Sequence, residues 1–211
     1  MNAKEMREIN KKNIIEGTIN CFREVGIVDT TSSMIAEKSG VSLRTVTRCF
    51  PVKDELIVEA TIQYLSVVME SMKEFIDDLQ YTSLSGIGQV EFILEKRGEI
   101  LFSDPRYYMI ITEIELMIAE HHVGKVISDK YYKTLLFVGD IVEKALEKGV
   151  SDKSIRENVD ISKAKNLLTG IYKGLLQRLT IQCIHPEAGN FIPKEEINNF
   201  YDITIDYLTH L

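Results

Sequence analysis

The sequence predicts an all-α protein, and three observations lead to this prediction. Apolar residues recur at the spacing of amphipathic helices along nearly the whole chain. No convincing stretch alternates apolar and polar residues as a half-buried strand does. The 211 residues, 45% of them hydrophobic and 27% charged, have the composition of a globular protein long enough to bury one or two cores. We therefore expect about nine helices, with lengths typical of globular domains.

The helix boundaries follow from capping residues and helix breakers. Gly26 is predicted to end the first helix as a left-handed cap. Ser42 caps the third helix and Pro51 closes it, because proline has no amide to continue the helix. Pro105 occupies the first position of a later helix, and Gly149 ends the next one. The predicted helices cover about residues 5–25, 31–39, 43–50, 53–80, 87–102, 105–122, 125–148, 160–184 and 193–211.

The second and third helices have the spacing of a helix-turn-helix. Ala36 is a small residue for a close helix crossing, and Gly40 supplies the positive backbone dihedral of the turn. Val46 then faces the first helices, so that Arg44 and Arg48 point away from the core. Arginines on such a helix bond guanine or phosphate, which predicts a DNA-reading surface. The alternative is a short amphipathic helix with a solvated polar face.

The candidate DNA-binding residues include the hydroxyl side chains and the lysine near the two arginines. They are Thr31, Ser33, Ser42, Leu43, Arg44, Thr45, Thr47, Arg48 and Lys53. Hydroxyl side chains contact phosphates or the thymine methyl group, and a lysine contacts phosphate through its charge. The motif therefore predicts double-stranded DNA as a partner.

Residues 10–60 resemble the N-terminal domain of the TetR family of bacterial transcriptional regulators. The matching stretch is IIEGTINCFREVGIVDTTSSMIAEKSGVSLRTVTRCFPVKDEL, with family positions at Phe22, Gly26, Thr30, Ile35, Ala36, Gly40, Val41, Ser42, Thr45, Phe50, Lys53 and Leu56. The resemblance implies a helix-turn-helix DNA-binding domain over residues 1–52 and a helical ligand-binding and dimerisation domain over 53–211. It also implies a dimeric repressor that a small-molecule effector releases from a palindromic operator.

A dimer interface is predicted independently on the last two long helices. Gly170 and Gly174 lie four residues apart on one helix face, where a second helix can approach closely. Tyr201, on the final helix, is the third candidate for the interface of a homodimer. The alternative is a gap that is filled within the same chain.

The candidate effector residues form an apolar and aromatic stripe with contributions from neighbouring helices. They are Phe102, Tyr107, Ile110, Ile114, Met117, His121, Tyr131 and Tyr132. Such a stripe is also typical of a core. Few cations lie in these segments, so an apolar, aromatic or amphipathic effector fits better than a phosphorylated metabolite. Glu113 or Glu115 would even favour a cation.

The charge distribution is compatible with DNA binding although the chain carries a net charge of −7. Residues 1–58 hold nine Lys and Arg against eight Asp and Glu, so the acidic excess lies in the rest of the chain.

Cys21, Cys49 and Cys183 are far apart and are expected to be small apolar residues, without a disulfide or zinc site.

Other classes of protein are disfavoured by the motifs. No nucleophile–base spacing, glycine-rich phosphate loop or H-E-x-x-H motif points to an enzyme, and no cofactor or metal is expected. His121 and His122 are adjacent and diverge by about 100° on a helix, which argues against a metal role.

Without an apolar run long enough for a membrane span, we expect a cytoplasmic protein. A DNA-bound structural or division-control protein of the same fold, without an effector, is the alternative function.

Overall fold

All the regular structure in the described part of the chain is helical, which confirms the predicted fold class. A computed structural model describes residues 2–120, 125–188 and 192–210. The helices are α1 (Ala3–Val25), α2 (Ser32–Lys38), α3 (Leu43–Cys49), α4 (Lys53–Asp77), α5 (Leu79–Ser83), α6 (Gly86–Ser103), α7 (Arg106–Ala119), α8 (Lys125–Ser151), α9 (Ile161–Asn166), α10 (Tyr172–Ile184) and α11 (Pro193–Thr209). A π-helical turn, Leu167–Ile171, joins α9 to α10, and a 3-10 turn covers Pro186–Ala188.

The caps of α2 and α3 follow the prediction, whereas Gly26 ends α1 without the predicted left-handed helical conformation, since its φ is 84° but its ψ is 175°. The Thr31 hydroxyl accepts a hydrogen bond from the Met34 amide at 3.2 Å, and thereby caps α2. The predicted cap of α3 is confirmed, since Ser42 Oγ accepts from the Thr45 amide at 3.2 Å. Gly40 has the predicted positive φ, at 65°, a backbone conformation that favours glycine in the turn between α2 and α3.

Three predicted boundaries were wrong, each for a local reason. The fourth helix ends at Asp77, because Asp78 is extended and its carboxylate caps the short α5. The helix predicted to stop at Gly149 continues to Ser151. Gly149 serves close packing instead, since a Cβ atom there would overlap Cδ1 of Ile155. The helix predicted over 160–184 is divided by the π turn.

The chain folds into two compact units. The first contains the described residues of Met1–Val68 and Met109–Thr134, and the second those of Met69–Tyr108 and Leu135–Leu211. Helices α4, α7 and α8 each contribute residues to both units. The functional boundary at residue 52 remains a prediction.

The core of the first unit holds the helix-turn-helix in place. Its buried residues are Ile14, Cys21, Ile35, Ala36, Val46, Cys49 and Leu56. The two cysteines among them are free thiols, and burial is the main cause of the raised pKa of Cys21. Gly17 marks the close contact of α1 with the end of α2, because a Cβ atom there would lie 2.8 Å from the Ser39 amide nitrogen. No local pattern in the sequence predicts this contact.

The core of the second unit contains a buried cation that the sequence did not indicate. Arg97 on α6 is 6% exposed, and its guanidinium donates hydrogen bonds to the backbone carbonyls of Leu168 and Thr169 in the π turn. The same guanidinium lies 5.0 Å from the ring centroid of Tyr172. The Tyr172 hydroxyl donates to the Leu94 carbonyl at 3.0 Å. These bonds fix the π turn and α10 against α6.

Candidate functional site

Helix α3 presents one polar face to solvent. Val46 and Cys49 are buried against the first two helices, which fixes the rotation of α3 about its axis. Arg44 and Arg48 are exposed on the other side, as predicted. Neither arginine has an ion-pair partner within residues 2–120, 125–188 and 192–210. Both guanidinium groups therefore keep all their N–H donors for an external acceptor.

The other candidate residues on this surface differ in whether their polar atoms already have hydrogen-bond partners within the chain. Leu43 is 47% exposed, which leaves an apolar contact beside the two arginines. Ser42 Oγ lies 3.0 Å from Thr45 Oγ1, and Thr47 Oγ1 donates to the Leu43 carbonyl at 3.1 Å. These hydroxyls have local partners, but each oxygen can take part in a further bond. Ser33 is exposed on α2.

Lys53 lies at the start of α4 and is bonded to the loop that precedes α2. Its Nζ donates a hydrogen bond to the Thr30 carbonyl at 2.7 Å. An ammonium group has three N–H donors, so two remain for a phosphate. Nothing in either segment of the sequence indicates this bond, because it joins residues 23 positions apart.

Three of the candidate effector residues in the first unit are buried. Ile110, Ile114 and Tyr131 have no exposed surface, Met117 is partly buried, and Tyr132 is 48% exposed. His121 lies outside the described residues. The rings of Tyr131 and Tyr132 are 5.4 Å apart, and the Tyr131 hydroxyl donates to Glu115 at 3.4 Å. A role for this cluster in effector binding remains a prediction.

Two candidate effector residues lie in the second unit. Tyr107 is buried, and Phe102 is 51% exposed. Phe102 contributes to a surface groove of about 660 Å³ between α6 and α11, whose apolar wall includes Ile197 and Tyr201. The groove is acidic, and three of the carboxylates that line it have no ion pair with any described residue. They are Glu91, Glu95 and Asp202.

The candidate dimer residues on the π turn and α10 leave open space beside the helix. Gly170 and Gly174 are exposed, and a Cβ atom at either position would meet no described atom within 4 Å. Ile171 and Ile181, 61% and 51% exposed, extend this face. The described part of the chain therefore does not fill the gap itself. Tyr201 is partly buried, and burial raises its pKa to about 12.

Residues 2–120, 125–188 and 192–210 contain no cluster of three or more His, Cys, Asp or Glu side chains placed to hold a metal ion. None of the helices in these ranges combines the length and the hydropathy that crossing a bilayer requires.

The comparisons with known proteins support the recognition of the N-terminal motif. Residues 14–60 match the family model of the bacterial regulatory proteins of the TetR family. No curated protein sequence matches the chain. The resemblance of residues 10–60 to TetR-family regulators is therefore confirmed by the family model, on the same residues that form α1 to α4.

Solved structures of similar fold cover nearly the whole chain. The transcriptional regulator FadR from Bacillus subtilis, in complex with stearoyl-CoA, is 17% identical and has a TM-score of 0.70 over 93% of this chain and 98% of its own. A TetR transcription regulator from Haloarcula marismortui is 17% identical, with a TM-score of 0.70 and coverages of 92% and 97%. The ketosteroid transcriptional regulator KstR2 of Mycobacterium tuberculosis is 13% identical, with a TM-score of 0.62 and coverages of 95% and 95%.

The fold and the N-terminal motif point to the same architecture. The chain shares the all-α fold of these three regulators over 92–95% of its length. Residues 14–60, which match the TetR-family model, carry the family's DNA-binding helix-turn-helix.

Proposed function

We propose that the protein is a dimeric cytoplasmic repressor that binds a near-palindromic operator through α3 and leaves it when a small apolar or amphipathic effector binds. The observation that carries the proposal is the pair Arg44 and Arg48, exposed and without ion pairs on a helix that Val46 and Cys49 hold in position. Unpaired arginines on a rigid helix are suited to bidentate contacts with guanine in the major groove.

The exposed apolar face of the π turn and α10 supports the dimer. Gly170 and Gly174 leave room for the backbone of a second helix, and Ile171 and Ile181 offer apolar surface on both sides of that space. Two copies of such a face form a self-complementary interface with two-fold symmetry. A two-fold dimer presents two α3 helices, which matches a palindromic site.

The side chains on α7 support the effector class. Ile110, Ile114 and Met117 are apolar, and the first two are fully buried. The FadR neighbour was solved in complex with stearoyl-CoA, an amphipathic ligand with a long apolar acyl chain and a phosphorylated CoA portion, and KstR2 is described as a ketosteroid regulator. We propose an effector of mainly apolar character that binds beside α7 and α8.

The operator is tested by selecting fragments of the organism's genomic DNA that the purified protein retains. We expect the retained fragments to share two inverted half-sites whose centres are roughly one helical turn or a small multiple of it apart. A duplex with only one half-site should bind much more weakly. Protection of a single unpaired half-site at full affinity in a footprint would contradict the dimeric mode.

The effector class is tested on the protein bound to this operator. Neutral aromatics, fatty acyl compounds and hydrophobic cations are compared with anionic phosphates for release of the protein from DNA. We expect release by members of the first three classes, and weaker effector binding in Met117→Ala by about 1 kcal/mol for the lost apolar contact. Met6→Ala, at an exposed position on α1, serves as the control. Release by phosphates alone, unchanged in Met117→Ala, would overturn the proposed site.

A further inference from the structure

The loop between α1 and α2, residues 26–31, is held by side chains from two distant helices. Glu113 on α7 accepts a hydrogen bond from the Ile27 amide, with 2.7 Å between Oε2 and the nitrogen. Lys53 on α4 donates to the Thr30 carbonyl at the other end of the loop. Both helices also continue into the second unit. The loop is thus bonded to the helices that connect the DNA-binding helices to the rest of the chain.

The Glu113 carboxylate accepts a hydrogen bond from a buried amide, that of Ile27, which has no acceptor within α1. The Gly26 amide still bonds back to the Phe22 carbonyl, but Ile27 lies beyond the end of the helix. Ile27 is only 2% exposed, so water cannot easily replace the carboxylate. A buried amide without an acceptor is costly, and charged acceptors form stronger bonds than neutral ones. Glu113 therefore fixes the start of the loop that leads into α2.

A change in the position of the loop reaches α3 through contacts within the first unit. The loop ends at Thr31, which caps α2, and α2 packs on α3 in the core that includes Ala36 and Val46. On the other side, Glu113 lies on the same helix as Ile110 and Ile114, two of the proposed effector residues. Because α7 is a continuous helix, a movement at those isoleucines displaces Glu113 as well.

We propose that Glu113 is a positioning residue that couples α7 to the DNA-binding helices through its bond to the Ile27 amide. With the bond intact, α2 and α3 are held in one orientation; effector binding at α7 moves or breaks the bond and releases them. The inference rests on the proposed function, since it describes how the effector region and α3 are linked. It assigns to Glu113 a structural contact in place of the cation-binding role that the sequence suggested.

The experiment compares three full-length variants with the unchanged protein. Glu113→Leu removes the acceptor, whereas Glu113→Gln keeps a carbonyl oxygen that can accept from Ile27. Glu115→Leu removes a carboxylate from the same helix without altering the bond to the loop. Amide hydrogen exchange at Ile27 is measured by NMR, and affinity is measured for the operator duplex selected with the unchanged protein.

We expect Glu113→Leu to accelerate exchange at Ile27 by at least about tenfold, and Glu113→Gln by much less, because the bond protects that amide. Operator affinity should fall at least about fivefold in Glu113→Leu and within about twofold in the other two variants. Equal exchange at Ile27 in Glu113→Leu and Glu115→Leu would overturn the inference, as would faster exchange with unchanged operator affinity. If the unchanged protein selects no specific duplex, the proposed function fails, whereas the exchange comparison still decides whether the bond holds the loop.

Discussion

Replacing both Arg44 and Arg48 with alanine is expected to weaken operator binding by roughly 2 to 6 kcal/mol, since each base-contacting arginine contributes about 1 to 3 kcal/mol. The structure strengthens this expectation because neither guanidinium has an ion pair to lose within the chain. No internal rearrangement therefore offsets the loss. The fold should survive, since both side chains lie on the exposed face of α3 and the core residues Val46 and Cys49 are unchanged.

The measurement is a salt-dependent titration of operator DNA together with circular dichroism. Lys133→Ala combined with Lys144→Ala makes the same change in net charge at exposed positions on α8, and serves as the control. The arginine variant should lose preference for the operator over unrelated DNA, whereas the control should keep it. If the arginine variant keeps its helicity and binds the operator with unaltered affinity, α3 does not read the DNA through this face.

The helix-turn-helix could be predicted because its signals are local. Gly40 is the turn residue that needs a positive φ, Ser42 caps the helix that follows it, and Val46 recurs at the spacing that points it inward. Each of these requirements is satisfied by residues within one or two turns of each other. The exposure of Arg44 and Arg48 follows directly once Val46 is placed in the core.

The features that could not be predicted depend on residues far apart in the chain. Glu113 and Ile27 are 86 positions apart, and nothing in either segment indicates that a carboxylate meets a backbone amide there. Glycine commonly ends helices, which predicts a helix end at Gly149, but this residue makes room for the side chain of Ile155 and the helix continues past it. The π turn depends likewise on the distant side chain of Arg97.

Replacing Gly174 with leucine is expected to separate the two chains while leaving each protomer folded. A Cβ atom at Gly174 meets no described atom within 4 Å, so the larger side chain fits the isolated chain. Glycine in a helix interior costs about 1 kcal/mol relative to good helix formers, so the substitution should even favour the helix. In a two-fold dimer, however, each leucine would enter the space of the partner's helix. Overpacking costs about 1 to 3 kcal/mol per site, and the dimer contains the change twice, which weakens association by roughly 2 to 6 kcal/mol.

Sedimentation velocity and operator titration measure the two consequences of this change. The Gly174→Leu protein should sediment as a monomer at concentrations where the unchanged protein is dimeric, with its helical circular dichroism spectrum retained. Its affinity for the palindromic duplex should approach that of the unchanged protein for a single half-site, because one chain presents one α3. Gly174→Ala should have a smaller effect in the same direction, and Lys144→Leu, which adds an exposed leucine to α8, should remain dimeric. A Gly174→Leu protein that stays dimeric and keeps its operator affinity would show that the chains associate through a different face.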